Sequence, residues 1–301
     1  LLHVIVVLVV GALLAARVLA APWFARHHLH AVPFGRATVV VLGALVLANV
    51  ACVVVPPGPL VSTDVVLVSS CAALVVGGAT FLLRRPVTRA ARTRRIVAVG
   101  AHPDDLELAC GATLAKLVDA GHEVHALVLS RGDAGATVSG ERRAAEAERG
   151  AAFFGASTTA VHDFPDTLLD HAMPDLVDTI EKLVREVDPD VVLTHSANDQ
   201  HQDHHAVHVA TLRAARQVST ILCFESPSVT RSFDPSFFVD VSDHFEVKVH
   251  AVGMHHDQVG KPYMTEERLR GIATFRGAQA KGGLAEAFEA VRVLGSAIGD
   301  L

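Results

Sequence analysis

Two uncharged apolar stretches constrain this chain before anything else does. Thr38 to Val55 and Val65 to Leu83 hold no Asp, Glu, Lys or Arg. Each is close to the ~20 residues that cross a bilayer core, and both read as transmembrane helices. Leu1 to Ala16 is a third apolar run, broken only by His3, with Arg17 placed to snorkel to the interface. It reads as a further span. Its rival is a trimmed or signal segment, although the basic leader of a secretory signal is not visible. The expected spans are therefore about 1–20, 38–56 and 65–83. Composition agrees, at 50% hydrophobic with a mean hydropathy of +0.38 but only 5% aromatic. The excess is Val, Ala and Leu, and it is concentrated in the first 83 residues.

Charge sets an expected orientation. Pro56 to Asp64 carries no Lys or Arg, whereas the stretch before the second span holds Arg26 and Arg36. Arg84, Arg85, Arg89, Arg92, Arg94 and Arg95 follow the last span in a basic linker over 84–95. Positive residues stay on the cytoplasmic side, so the remainder of the chain is expected in the cytoplasm, tethered to the cell membrane. Those arginines are also candidates for contact with anionic membrane lipid. The net charge of −6, with no other long cationic run, argues against a nucleic-acid partner. Cys52, Cys71, Cys110 and Cys223 show no CxxC spacing and read as small buried side chains, compatible with a reducing compartment.

From residue 96 onward the pattern changes. Short apolar runs near 96–100, 123–130, 160–164, 190–194, 221–224 and 237–241 alternate with amphipathic segments near 108–120, 141–154, 174–187, 203–217, 244–259 and 265–280. Such alternation predicts an α/β fold of Rossmann-like form, a mostly parallel sheet with helices on both faces. The expected domain covers 96–301. Right-handed crossovers put the strand C-termini on one edge, and polar residues follow four of the strands. His102, Asp104 and Asp105 come after the first, Arg131 after the second and Asp166 after the third. The histidine-rich run His195 to His205 comes after the fourth. Ligands bind at that edge in open α/β sheets.

The chemistry of this edge suits a metal. His102 and Asp105 are three apart across a turn and can face one point. A third ligand must come from the cluster His201, His204, His205 and His208, where helical spacing alone leaves the choice open. A zincin reading fails because no Glu follows the first histidine of the 204–208 pair. Three protein ligands with an open fourth position make a catalytic zinc site. Asp104 is then left to take a proton from an activated water, and an uncommitted histidine to bind an oxyanion. The competing reading of the turn is Asp104 or Asp105 as a helix N-cap.

These residues also carry a family likeness. Ala101-His-Pro-Asp-Asp-Leu-Glu-Leu-Ala-Cys-Gly-Ala-Thr-Leu114, Ser130-Arg-Gly-Asp133, Arg143-Ala-Ala-Glu146 and Asn198-Asp-Gln-His-Gln-Asp-His204 resemble the PIG-L / LmbE-like N-deacetylases. His255-His-Asp-Gln258 and Ala285-Glu-Ala-Phe288 look like the closing motifs of that family. The resemblance implies a zinc-dependent hydrolase with one catalytic Zn2+. It implies His102, Asp105 and His204 as metal ligands, Asp104 as general base, and His201 as oxyanion stabiliser oriented by Asp203. The implied substrate is an N-acetylglucosamine-type glycoconjugate, and the spans make a lipid-linked one attractive. Arg131 and Asp166 read as substrate contacts, with a surface ion pair as the alternative for Arg131. His255 reads as a further substrate contact or a plain helix-face histidine. Glu107 receives no catalytic role. Action on a thiol-sugar conjugate or another acylamine, or a non-catalytic sugar-binding role, would leave much of the same sequence.

Overall fold

A computed structural model describes residues 1–134 and 136–295; the last positions of the domain expected over 96–301 lie outside the described residues. The chain forms two compact units, Leu1–Pro86 and Val87–Leu301.

The first unit is helical: α1 (Leu2–Leu19), the short α2 (Ala21–His27), α3 (Ala31–Val54) and α4 (Pro59–Leu82). Three of these, α1, α3 and α4, are long and apolar enough to cross a membrane. Their apolar side chains point mostly outward, with Leu8 68%, Leu47 71% and Leu74 76% exposed. A water-soluble helix would bury such a face, so the outward face is suited to hydrocarbon. The inward contacts are a small apolar cluster of Val6, Val10 and Leu42 and a polar chain. Asn49 Oδ1 and Ser62 Oγ lie 2.7 Å from the two ring nitrogens of His3, and the Asn49 amide donates to Ser69 Oγ at 2.8 Å. Polar side chains of this kind tie helices together where water is absent. Arg17 turns inward, donating to the Ala31 carbonyl at 3.1 Å. It fits because position 35 is glycine; a Cβ there would collide with the Arg17 guanidinium.

The second unit is the α/β fold. Its strands are β1 (Arg95–Gly100), β2 (Glu123–Ser130), β3 (Thr158–Phe164), β4 (Val191–Thr194), β5 (Thr220–Phe224), β6 (Phe237–Asp240) and β7 (Ala285–Arg292). Its helices are α5 (Asp105–Asp119), α6 (Gly140–Phe154), α7 (Met173–Val187), α8 (Gln202–Ala214), α9 (Phe245–Val252) and α10 (Glu266–Ala280). The sheet order is β3-β2-β1-β4-β5-β7-β6. Strands β1 to β5 pair in parallel, and β7 runs antiparallel between β5 and β6. The β1 sequence alternates between two apolar clusters. Ile96 and Ala98 face one helix layer, and Val97 and Val99 face the other. The chain winds outward from β1 in one direction and from β4 in the other, so the order reverses between β1 and β4. That is where an open α/β sheet leaves a crevice.

Two departures from the sequence reading have physical causes. Residues 244–259 do not form one helix, because α9 stops at Val252 before Gly253 and a short 3-10 turn follows at His256–Gln258. Strand β7 is not among the expected strands, since its Ala- and Glu-rich sequence carries helix-forming propensity; pairing with β5 and β6 overrides that weak preference. Helix α5 also breaks at Cys110, which has non-helical φ and ψ. The break frees backbone groups, and a buried ion pair takes them up. Glu286 accepts from the N–H groups of Ala112 and Thr113 at 3.3 and 2.7 Å. Lys248 Nζ lies 2.7 Å from Glu286 and donates to the Ala109 carbonyl at 3.4 Å.

Candidate metal centre and active site

The turn after β1 is shaped by Asp105. Its Oδ2 accepts from the backbone N–H groups of Ala101 and His102, at 3.0 and 2.7 Å, and lies 3.1 Å from His195 Nε2. Asp105 thereby folds the His-Pro-Asp-Asp turn back on itself. Its other oxygen, Oδ1, is 3.4 Å from His204 Nε2. Asp104 stands at the N-cap position of α5 yet makes no side-chain cap hydrogen bond. The capping alternative therefore does not describe it, and its buried carboxylate faces Arg143 Nη2 at 3.7 Å.

Across the β1/β4 crevice, α8 brings in the second histidine group. His204 Nε2 is 3.3 Å from His102 Nδ1, which is 3.6 Å from Asp105 Oδ2. Each ring is held by a carboxylate on its far nitrogen. Asp199 Oδ2 is 2.9 Å from His204 Nδ1 and is itself bonded by the Ser226 hydroxyl, while the Ser228 hydroxyl donates to Asp199 Oδ1. Asp203 and Asp166 lie 3.0 and 3.1 Å from His102 Nε2. Carboxylates in this position fix the tautomer and aim of a metal-binding imidazole. His201 is different. Its Nδ1 accepts the Asp203 backbone N–H at 3.3 Å, so a neutral ring carries its proton on Nε2 as a donor. Its ring stacks on His204 with centroids 4.5 Å apart.

The imidazoles and carboxylates of the site set one another's protonation. Burial alone would raise Asp105, but His204, His195 and His102 hold it well below the ordinary carboxylate range. Burial opposes charging of His204, yet Asp105 and Asp199 raise it to about 9. His195, fully buried, is pushed down to about 4 by burial and by the neighbouring His204. Asp104 is raised by burial and by the adjacent Asp105 charge, the direction that suits a proton acceptor. Among the described residues, three overlapping His/Asp groups place donors within 4.8 Å of one another. They are His102–His201–His204, Asp105–His195–His204 and His102–Asp166–Asp203. The donor set fits a zinc-type ion. Ligands at about 2.0–2.1 Å in tetrahedral array sit roughly 3.3–3.4 Å from each other, close to the 3.3 Å between His102 Nδ1 and His204 Nε2 and the 3.4 Å between His204 Nε2 and Asp105 Oδ1; His102 Nδ1 lies 3.6 Å from the other Asp105 oxygen, Oδ2.

The cavity over these donors is about 260 Å³ and is lined by Asp104, Arg143, Asp166, His201 and Tyr263 as well as the donors themselves. Three expected contacts are placed otherwise. Arg131 is not on its wall; it is a third exposed and 3.5 Å from Glu141, the surface pair named as its alternative. His255 is buried behind the site, off any α-helix, with Nε2 3.5 Å from Glu107 Oε2. Asp203 bonds His102 through its carboxylate and meets His201 only through its backbone. Asp166 reaches the cavity but is engaged with His102 and the Ala134 N–H. Sequence reasoning missed His195, Asp199, Ser226 and Ser228, and it undervalued Arg143. Gly132 gives Arg143 room, since a Cβ there would collide with the Arg143 guanidinium.

A Rossmann-like sheet with a His/Asp group of metal-ligating type at its switch point marks an α/β protein with a candidate metal site. Comparison with known proteins narrows the class. Residues 97–215 match the family model PIG-L, described as GlcNAc-PI de-N-acetylase. The chain is 34% identical over 175 residues to the uncharacterized deacetylase YaiS of Escherichia coli K12, covering 56% of this chain and 94% of the relative. It is 30% identical over 209 residues to the diacetylchitobiose deacetylase of Thermococcus kodakarensis, covering 61% and 78%. Among solved structures, the conserved protein TT1542 of Thermus thermophilus superposes with a TM-score of 0.60 at 25% identity, over 67% of this chain and 97% of that one. The chain belongs to the PIG-L / LmbE-like family. Membership places it among deacetylases, enzymes that hydrolyse an amide C–N bond.

Proposed function

We propose that this protein is a membrane-anchored, zinc-dependent deacetylase that removes the acetyl group from an N-acetylglucosamine-type glycoconjugate, with a lipid-linked conjugate as the favoured substrate. The observation that carries this reading is the convergence of His102 Nδ1, His204 Nε2 and the Asp105 carboxylate, with Asp104, which makes no side-chain cap hydrogen bond, on the wall of the same cavity. His102, Asp105 and His204 would hold the ion. When bound, such an ion polarises a carbonyl and lowers the pKa of water. His195 and Asp199 position Asp105 and His204. Asp104 accepts a proton from the attacking water as its oxygen adds to the acetamide carbon. The His201 Nε2–H donates to the developing oxyanion. The C–N bond then breaks, and Asp104 returns the proton to the departing nitrogen, giving acetate and a free amine.

The diacetylchitobiose deacetylase relative supports an amino-sugar substrate. The apolar helices α1, α3 and α4 and the arginine-rich stretch after them support a multi-pass protein with its α/β unit on the cytoplasmic side. Two of those arginines, Arg85 and Arg94, are buried in the fold, and Arg92 and Arg95 pair with Asp190 and Asp188 at 3.7 and 2.8 Å, which leaves Arg84 and Arg89 to meet anionic lipid. Purified full-length protein assayed on N-acetylglucosamine conjugates before and after zinc stripping tests the reading. Activity is expected to vanish with a chelator and return with zinc; full activity after stripping overturns the metal assignment. Equal rates on conjugates with and without a lipid overturn the lipid-linked substrate.

A further inference from the structure

Buried polar atoms are nearly always hydrogen-bonded, because an unpaired one has given up water and gained nothing. Among the described residues on the wall of the metal cavity, one side-chain atom is buried without a hydrogen-bond partner. It is the carboxamide oxygen, Oε1, of Gln258. Gln258 closes the 3-10 turn His256–Gln258 and is only 1% exposed. Neither the metal donors nor the proposed proton transfers make use of it.

The amide cannot turn round to bring its nitrogen to that position. Gln258 Nε2 donates to Asp257 Oδ2 at 2.6 Å. An ionised carboxylate only accepts, so the nitrogen faces Asp257 and the oxygen is turned away from it. Asp257 is kept ionised from its other side. The Thr137 backbone N–H donates to Asp257 Oδ1 at 3.1 Å, and the Thr137 hydroxyl donates to the same oxygen. Those bonds hold the Asp257 carboxyl below the ordinary carboxylate range. The main chain of Gln258 is committed as well. Its N–H donates to the His255 carbonyl at 2.9 Å, and its carbonyl accepts from the Lys261 N–H at 3.0 Å. Backbone and amide nitrogen are therefore fixed, and the side-chain oxygen alone is left over.

A buried acceptor calls for an O–H or N–H. The acetyl group of an acetamide brings only a methyl and a carbonyl, and its N–H lies at the reacting bond. The donors of an amino sugar away from that bond are its hydroxyls. We propose that Gln258 is a specificity-determining residue, its carboxamide oxygen accepting a hydrogen bond from a hydroxyl of the amino sugar while Asp257 holds the amide in that orientation. The proposal rests on the deacetylase reading and narrows its substrates to hydroxylated acylamines. A site built to bond a substrate hydroxyl rejects the analogue that lacks it, because the buried partner is then left unpaired.

The test changes substrate and residue together. Zinc-loaded full-length protein is assayed on the methyl glycoside of N-acetylglucosamine and on its deoxy analogues, each lacking one hydroxyl. Gln258→Met keeps the length of the side chain and removes the acceptor. It is expected to lower kcat/KM on the complete sugar about tenfold, mainly through KM, with zinc content unchanged. One deoxy analogue is expected to show the same loss in the wild type and no further loss in the variant, the mark of a direct contact. Equal losses in the variant on the complete sugar and on every analogue would make Gln258 a structural residue and overturn the proposal. No loss on any of them would mean that water satisfies the oxygen, which overturns it too. Asp257→Ala keeps the oxygen but frees the amide to turn. The same pattern at smaller size is expected there, and this variant carries the test if Gln258→Met does not fold. If the wild type turns over none of the sugars, the deacetylase reading fails. Calorimetric binding of the same sugars to wild type and variants then decides the Gln258 contact by itself: coupling to one hydroxyl supports it, and equal weakening on all of them overturns it.

Discussion

Two buried histidine networks, one in each unit, look alike in a sequence and differ in kind. In the helical unit His3 meets Asn49 and Ser62, and Asn49 passes the chain on to Ser69. The amide oxygen of Asn49 can only accept, so Nδ1 of the ring donates to it, and the Ser62 hydroxyl donates to Nε2 of a neutral ring. Ser69 ends the chain on the Val65 carbonyl. Every polar atom in the sequence of bonds has a complementary partner, and the network closes on itself. In the α/β unit, His102 Nδ1 and His204 Nε2 face each other at 3.3 Å with Asp105 beside them. Their far nitrogens are already taken by Asp203, Asp166 and Asp199. With the far nitrogens held by carboxylates, the near nitrogens of the two rings and an Asp105 oxygen converge on one point instead of passing hydrogen bonds along a chain. Burial of polar groups is thus not what marks a site. The mark is a set of metal-ligating atoms, brought from separate elements, that converge on one point.

The predictions sharpen that contrast. The largest effect belongs to Asp104, the proposed general base. Asp104→Asn is expected to lower kcat by ~10²–10⁴-fold, the usual range for a general base, while metal content stays at the wild-type level by elemental analysis. Loss of metal along with activity would instead make Asp104 part of the donor set. His201→Ala is expected to cost about 10²–10³-fold in kcat, as for an oxyanion donor, with KM little changed. A pure KM effect would move His201 to substrate binding. Asp199→Ala removes the carboxylate that holds His204 Nδ1 and the His201 backbone N–H, and a loss of about 10–100-fold in metal affinity is expected from competition with a chromogenic chelator. Unaltered affinity would mean that the Asp199 carboxylate is a structural bond like those around His3. The smallest effect is on the other side of the comparison. Asn49→Leu is expected to change stability by about 0.6 kcal/mol, typical of hydrogen bonds between membrane helices, with metal content and turnover unaffected. A change in either would break the distinction drawn between the two networks.

Much of the α/β unit could be read from its residues because strand and helix periods are local. Ile96 to Gly100, with its run of apolar residues before a polar turn, announces a buried strand and a sheet-edge site. Strand β7 could not be read in this way, because Ala285 to Arg292 becomes a strand only by pairing between two others. Glu286 and Lys248 were equally hidden. Nothing near either residue reveals that helix α5 breaks at Cys110 and leaves backbone groups for them to bond. At the site, His102, Asp105 and His204 could be singled out by their turn and their family likeness. The partners of those rings could not. Asp203 lies two residues from His201, and residues two apart on a helix do not face each other; its carboxylate turns to His102, 101 positions away in the chain.

The sequence by itself determined the kinds of element and where chemistry would gather. Uncharged runs of bilayer length, alternating periods, and histidines and aspartates after successive strands are properties of neighbouring residues. Only the tertiary structure decided which carboxylate orients which ring and that Asp104 caps nothing. It also decided that Arg131 and His255 stand off the cavity over the metal donors. Those are distances between residues far apart in the chain, and they are set by the packing of helices on a sheet whose order reverses between β1 and β4.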